Sequence, residues 1–301
     1  MSVKTTPVVS DYLKLHKEFN EKYNNAVILY QVGGFYELYA DESNKDFLQS
    51  VCYKMNMIMT KKDKKKKDSP YMAGFPAHSL DKYKEILAND YTVIIVSQYE
   101  EKKGVYKRKI EEIITPGTYC KNNEHTNRFF AYIYIEKVKK NIYAGISLVD
   151  VNSNDFMLKD FYVNSYNEII EFLEDKNGIK EIYINANSQT VVDELTKEFE
   201  KTRLSEINKI IKTRKKEENI NEVFKYVKSV YESIEDDVEI LRNPLLMQTL
   251  YHTLKVIENV NPYYLTNIKY PELLKNEERF HLANHSALQL NVIDYDENKY
   301  S

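Results

Sequence analysis

Val32-Gly33-Gly34-Phe35-Tyr36-Glu37-Leu38-Tyr39 joins two strand-like runs through a glycine pair. The run before it, Ala26 to Gln31, is apolar and reads as a strand, and Gly33-Gly34 stops it where a tight or strained turn fits. Phe35 to Tyr39 resumes as a second strand. Side chains alternate across a strand, so Phe35 and Glu37 are expected to project from one face together. Upstream, Asp11 to Tyr23 has amphipathic helix spacing, with Ser10 placed to cap it and Tyr12, Leu13, Leu15 and Phe19 on one broad face. Downstream, Asp41 to Met55 reads as a helix. The charge run Lys61 to Lys67 lacks apolar periodicity and reads as a solvated loop. Pro70 to Pro76 is expected to be irregular and Leu80 to Ala88 helical. Thr92 to Gln98 reads as a buried β-branched strand, and Lys107 to Ile114 as another strand, ended by the turn Thr115-Pro116-Gly117-Thr118. Strands alternating with helices predict a small α/β domain.

The polar segment Lys121 to Asn127 marks a boundary. Beyond it, Phe129 to Ile135 and Asn141 to Asp150 are apolar runs joined by Glu136 to Lys140, the pattern of a hairpin. A strand at Asp155 to Tyr162, a helix at Tyr166 to Glu174 and a strand at Glu181 to Ile184 continue the alternation. The acids at Asp175 and Glu181 read as loop and strand-edge charges. From Asn221 the sequence is mainly helical, with Val223, Tyr226, Val227 and Val230 spaced for one face. Phe280 to Ile293 is an apolar periodic segment close to Ser301, and it reads as the start of a domain that the chain does not complete.

The 301 residues, 43% of them hydrophobic, suffice for two or three cores. Net charge is -3, so the chain as a whole is not a generic basic nucleic-acid binder. Residues 1–120 nevertheless hold 19 of the 43 basic and 16 of the 46 acidic side chains, a local excess of positive charge. Only two cysteines occur, Cys52 and Cys120, without metal-ligand spacing, which argues against a disulfide framework or zinc site. No signal-peptide core or membrane-length apolar run is present, and the chain is expected to be soluble and intracellular, with no membrane partner.

The chemistry of the octapeptide suits DNA. An aromatic ring can wedge into a base step, and a carboxylate beside it can hydrogen-bond a displaced base edge. The competing reading makes Phe35 and Tyr36 core aromatics and Glu37 a solvated strand residue.

Gly33, Phe35, Tyr36, Glu37 and Leu38 match the mismatch-reading motif Gly-Asp-Phe-Tyr-Glu-Leu-Phe of the MutS family; Gly34 departs from its aspartate and Tyr39 from its final phenylalanine. Further landmarks follow in family order: Asp11-Tyr12-Leu13, Thr60-Lys61-Lys62, Met72 to His78, Gln98, Arg108-Lys109 and Ile114 to Thr118. Ala144 to Asp150 resembles the opening of the family's connector domain, Leu246 to Pro271 the helix and exit of that connector, and Leu282 to Ile293 the first helix of its core, or lever, domain. The resemblance implies an α/β chain. Residues 1–120 would be a small mixed mismatch-recognition domain, 124–268 a ribonuclease H-like connector, and 269–301 the truncated start of a helical core domain. It implies binding of double-stranded DNA with mismatches or small loops, through Phe35 as wedge and Glu37 as base contact. Lys61, Lys62, Lys64, Lys65, Lys66, Lys67, His78 and Arg108 would add DNA contacts, and Lys62 stands where the family has arginine. It further implies a homodimer in the full-length family and downstream repair proteins as partners of the connector.

No Gly-x-x-x-x-Gly-Lys phosphate loop occurs in the sequence. The chain is therefore expected to be no enzyme by itself and to hold no cofactor, with ATP and magnesium belonging to an ATPase domain outside it. Two alternatives are a ribonuclease H-like metal-dependent nuclease, using strand carboxylates such as Asp150 and Asp155, and a non-catalytic protein-interaction module.

Overall fold

The computed structural model describes residues 7–63, 65, 66, 69–119 and 127–275. The first unit is built from α1 (Pro7–Tyr23), β1 (Ala26–Val32), β2 (Phe35–Ala40), α2 (Lys45–Lys54), β3 (Thr60–Lys61), β4 (Tyr71–Pro76), α3 (Leu80–Leu87), β5 (Thr92–Lys102) and β6 (Val105–Ile114). Its strands form one sheet in the order β3-β4-β2-β1-β5-β6. β1 and β5 are parallel, and the other pairs are antiparallel. Central position explains why the runs Ala26 to Tyr30 and Thr92 to Val96 are apolar without alternation: both faces of these strands are buried. On one face Tyr12 of α1 packs edge-on against Tyr30 and Tyr39, with ring centroids 5.9 and 5.3 Å away. On the other, Phe75 stacks with Tyr36 and meets Tyr83 of α3.

Three local expectations are corrected. α1 begins at Pro7, so Ser10 lies inside the helix and does not cap it; proline is suited to a first turn because its missing N–H would have no intrahelical partner. α2 is shorter than the run Asp41 to Met55, because the backbone N–H of Ser43 donates to Asp41 Oδ1 and that of Asp41 to Asn44 Oδ1, closing a separate turn. The stretch Pro70 to Pro76 is mostly strand β4, in continuous register with β2 from Ala40↔Tyr71 to Phe35↔Pro76. Its proline sits at the strand end, and Gly74 passes so close to β2 that a Cβ there would lie 3.0 Å from the Tyr36 carbonyl oxygen.

The second unit comprises β7 (Phe129–Val138), β8 (Asn141–Asp150), β9 (Asp155–Val163), α4 (Asn167–Glu174), β10 (Ile179–Ala186), α5 (Gln189–Phe199), β11 (Asn208–Thr213), α6 (Ile220–Val230), α7 (Val238–Leu241), α8 (Pro244–Val260) and β12 (Glu272–Leu273). Its sheet runs β11-β10-β7-β8-β9-β12. β7, β8 and β9 form an antiparallel meander, and β10, β11 and β12 join in parallel. Ile169, Leu173, Leu195 and Phe199 of α4 and α5 fill the core on one face, and Val223, Val227, Leu250 and Leu254 of α6 and α8 fill the other. The chain is thus α/β with two mixed sheets, as expected. Because β12 pairs with β9, the second sheet extends past residue 268; the segment Phe280 to Ile293 lies outside the described residues.

Glu181 is also corrected. β10 has a neighbour on both sides, so this carboxyl is not at an edge and is 0% exposed. Its Oε1 accepts from Thr115 Oγ1 at 2.5 Å and from the Gly117 N–H at 3.3 Å. Burial pushes its pKa up to about 7, against the lowering effect of those donors and of the nearby Arg128 guanidinium. The turn Thr115 to Thr118 is thereby plugged into the second sheet. The Arg128 guanidinium closes the same junction by donating to the Pro116 carbonyl.

Candidate nucleic-acid interface

β1 and β2 meet at the Gly33-Gly34 turn, where Gly33 has φ +60°, a conformation that costs an L side chain. Phe35 is the first residue of β2 and is 51% exposed, while Tyr36, Leu38 and Tyr39 are buried. The core-aromatic role therefore falls to Tyr36, and Phe35 stands free at the sheet end. Four neighbours fix the turn. The Gly33 N–H donates to Gln98 Oε1 at 3.1 Å, the Gln98 N–H to Gln31 Oε1 at 2.8 Å, and the Ala77 N–H to the Gly34 carbonyl at 2.9 Å. Arg108 donates through Nε to the Gln31 carbonyl at 2.8 Å and through Nη2 to Gln98 Oε1 at 3.2 Å, with its guanidinium over the Tyr30 ring. Arg108, expected as a DNA contact, is placed beside the turn but spends these donors on bracing it.

Glu37, half-buried, lies on the same face as Phe35. The Tyr39 hydroxyl donates to its Oε2, and Lys62 Nζ donates to that hydroxyl oxygen at 3.1 Å with the ammonium 4.6 Å from the ring centroid. Burial and the adjacent Glu37 carboxylate raise the Tyr39 phenol well above its ordinary pKa, so it remains a donor. Lys61 lies with its ammonium over the Tyr71 ring, opposite the Ala40 end of β2 and away from Phe35. Lys65 and Lys66 are exposed on the loop that follows, where Asp63 accepts from the Lys65 N–H and pairs with the Lys66 ammonium at 3.6 Å. Lys64 and Lys67 lie outside the described residues. Four residues of strand separate Phe35 from Tyr39, ~13 Å, so the Phe35 end of β2 and the lysine loop are distinct regions linked by the line Glu37, Tyr39, Lys62. His78 is exposed on the short 3-10 turn after β4, next to the Gly34 carbonyl contact and at the Phe35 end of β2.

In the second unit, Asp150 and Asp155 face each other in the β8–β9 register. Asp150 is buried, and its oxygens accept from the N–H groups of Arg128, Asn152 and Ser153. Asp155 accepts from the Ser153 hydroxyl. These carboxylates close a turn, and among the described residues no group of three or more His, Cys, Asp or Glu side chains converges as a metal site would require.

The sequence alone gives Gln31 no role beyond its strand, and Gly74 and Gln98 enter there only within landmarks. A polar residue in an otherwise apolar strand was the available signal for Gln31. Gly74 gives no such signal, because its role depends on how closely β4 approaches Glu37, 3.4 Å from a Cβ at Gly74 to Glu37 Cγ.

Residues 6–123 match the family model described as MutS domain I. The chain is 30% identical over 178 residues to the DNA mismatch repair protein MutS of Thermosipho melanesiensis, covering 57% of this chain and 19% of that protein. It is 32% identical over 174 residues to the DNA mismatch repair protein MutS of Petrotoga mobilis, covering 56% and 19%. The match to the protein of the same name from Acetivibrio thermocellus is longer, 28% over 273 residues, covering 86% of this chain and 30% of that protein. The matched stretches thus span 19% to 30% of the length of these relatives. No helix among the described residues is long and apolar enough to cross a membrane.

Proposed function

We propose that this chain, whose residues 6–123 match MutS domain I, is an N-terminal region of the MutS family and binds mismatched double-stranded DNA. The observation that carries this reading is the exposed Phe35 on a braced turn, with the Glu37 carboxylate two residues along the same face. A mispaired step opens at lower cost than a paired one, so a ring inserted there recovers stacking, and a neighbouring carboxylate can accept from the displaced base. His78 adds a contact at the wedge end. The lysine loop meets backbone phosphates farther along, which contributes affinity without sequence information. The second sheet serves as the connector, with downstream repair proteins as its partners, and the homodimer of the full-length family is the assembly this reading implies.

Fluorescence anisotropy of the 301-residue chain with matched duplexes and with duplexes carrying one mismatch or a small loop tests the proposal. Tighter binding to the mismatched duplexes is expected, and equal binding at every salt concentration would contradict it. Incubation of labelled duplex with magnesium or manganese addresses the nuclease alternative; cleavage that follows the protein through purification would favour that alternative.

A further inference from the structure

We propose that Tyr39 and Lys62 are positioning residues that hold Glu37 as an oriented, acceptor-only carboxylate, so that the Tyr39 hydroxyl sets how sharply this chain discriminates a mispaired base. The inference rests on the mismatch-binding reading above. Three groups stand in line: the Lys62 ammonium donates to the Tyr39 hydroxyl oxygen at 3.1 Å, and that hydroxyl donates to Glu37 Oε2. The line has one direction only. An ammonium has no acceptor and an ionised carboxylate no donor, so the hydroxyl between them must accept from Lys62 and donate to Glu37. Tyr39 is 1% exposed and its ring is fixed by Tyr12, so its hydroxyl is a stationary donor.

The opposite side of Glu37 is equally defined. Gly74 of β4 pairs with it, and the missing side chain leaves the carboxylate stem running along bare backbone. With Oε2 taken by Tyr39, Oε1 is the oxygen presented to an incoming group. A carboxylate held this way accepts an N–H from a base edge and is penalised against a bare ring nitrogen or carbonyl. The positive charge on Lys62 offsets part of the cost of covering Glu37 with DNA. The similar family motif ends in phenylalanine where this chain has Tyr39, so the hydroxyl is a feature of this sequence and cannot be transferred from the motif.

The test is a double-mutant cycle read as the ratio of matched to mismatched Kd at fixed salt, for the parent, Tyr39→Phe, Glu37→Ala and the double variant. Tyr39→Phe keeps the ring and deletes only the hydroxyl. It is expected to lower the ratio by roughly 2- to 10-fold, the scale of one hydrogen bond, with matched-duplex affinity and salt slope unchanged. In the Glu37→Ala background the same change should have no effect on the ratio. Lys62→Met should lower the ratio in the parent and not in the Tyr39→Phe protein, apart from a uniform loss of affinity. If Glu37→Ala collapses the ratio while Tyr39→Phe equals the parent, the positioning role is overturned. It is also overturned if Tyr39→Phe acts undiminished without Glu37, since that is ring packing. A parent with no mismatch preference would instead remove the underlying reading. Should Tyr39→Phe fail to fold, the cycle of Lys62→Met against Glu37→Ala decides the same question.

Discussion

The backbone N–H of Gly33 donates a 3.1 Å hydrogen bond to Oε1 of Gln98, 65 residues further along the chain. The same oxygen accepts from Arg108 at 3.2 Å, so one side chain ties the turn that presents Phe35 to the β5–β6 edge. Gln98→Ala is expected to cost about 1 kcal/mol of stability, because the freed donors are at an exposed edge and water replaces their partner. Its larger effect should be on mismatch preference, through a loosened Phe35. Urea unfolding and binding on the same protein separate the two.

Gly33 and Gly34 should behave differently although a Cβ at either meets nothing within 4 Å. Gly33 has φ +60°, so Gly33→Ala is expected to cost about 1–2 kcal/mol from the backbone alone. Gly34 needs no left-handed conformation, and Gly34→Asp should change stability by less than about 0.5 kcal/mol. Thermal melts of the two variants check the ordering; equal losses would contradict it.

How much of this was legible follows from what each signal depends on. The helices and central strands of the first unit were readable because burial on one or both faces leaves a period in the sequence, as in Thr92 to Val96. β4 was not, since Pro70, Gly74 and Pro76 mimic a loop and only pairing with β2 makes them a strand. α5 carried a usable signal, Ser188 capping the N–H of Val191 ahead of Val191, Val192, Leu195 and Phe199 at helical spacing. Phe35 and Glu37 could be placed on one face from alternation alone. That Arg108 braces the turn, and that Lys62 reaches back to Tyr39, depends on contacts between strands that no local pattern encodes. Glu181 was misread because a lone acid in a strand looks like an edge until the strand order is known.

Glu181 gives the chain a pH dependence of defined sign. Burial raises its pKa from 4.5 to about 7 in the folded protein. Below pH about 4.5 the group is protonated in both folded and unfolded states and carries no penalty. Between there and pH about 7 the folded state keeps a proton that the unfolded state has lost, so stability falls as pH rises, and above that the penalty is constant. Its size is at most about 3 kcal/mol. Glu181→Gln keeps an acceptor for Thr115 and Gly117 while removing the charge. It should be more stable than the parent at pH 8 and no more stable at pH 4.5, by urea unfolding at both. Parallel pH profiles would contradict the assignment.

Lys65 and Lys66 are expected to act on DNA without reading it. Replacing both with Ser should weaken matched and mismatched binding alike and flatten the salt dependence by roughly 0.9 for each phosphate that is no longer neutralised. The ratio between the two duplexes should survive. An unchanged salt slope would make the loop a solubilising surface.

Phe35→Ala tests the central claim most directly, measured as the preference for mismatched over matched duplex by anisotropy at one salt concentration. With the ring 51% exposed, the variant is expected to stay folded, well short of the roughly 3–5 kcal/mol that truncating a buried phenylalanine costs. The account predicts that most of the mismatch preference disappears, about 1–3 kcal/mol on the scale of base–aromatic stacking, while weak phosphate-driven binding remains. A folded Phe35→Ala protein that prefers mismatched DNA as strongly as the parent would contradict it.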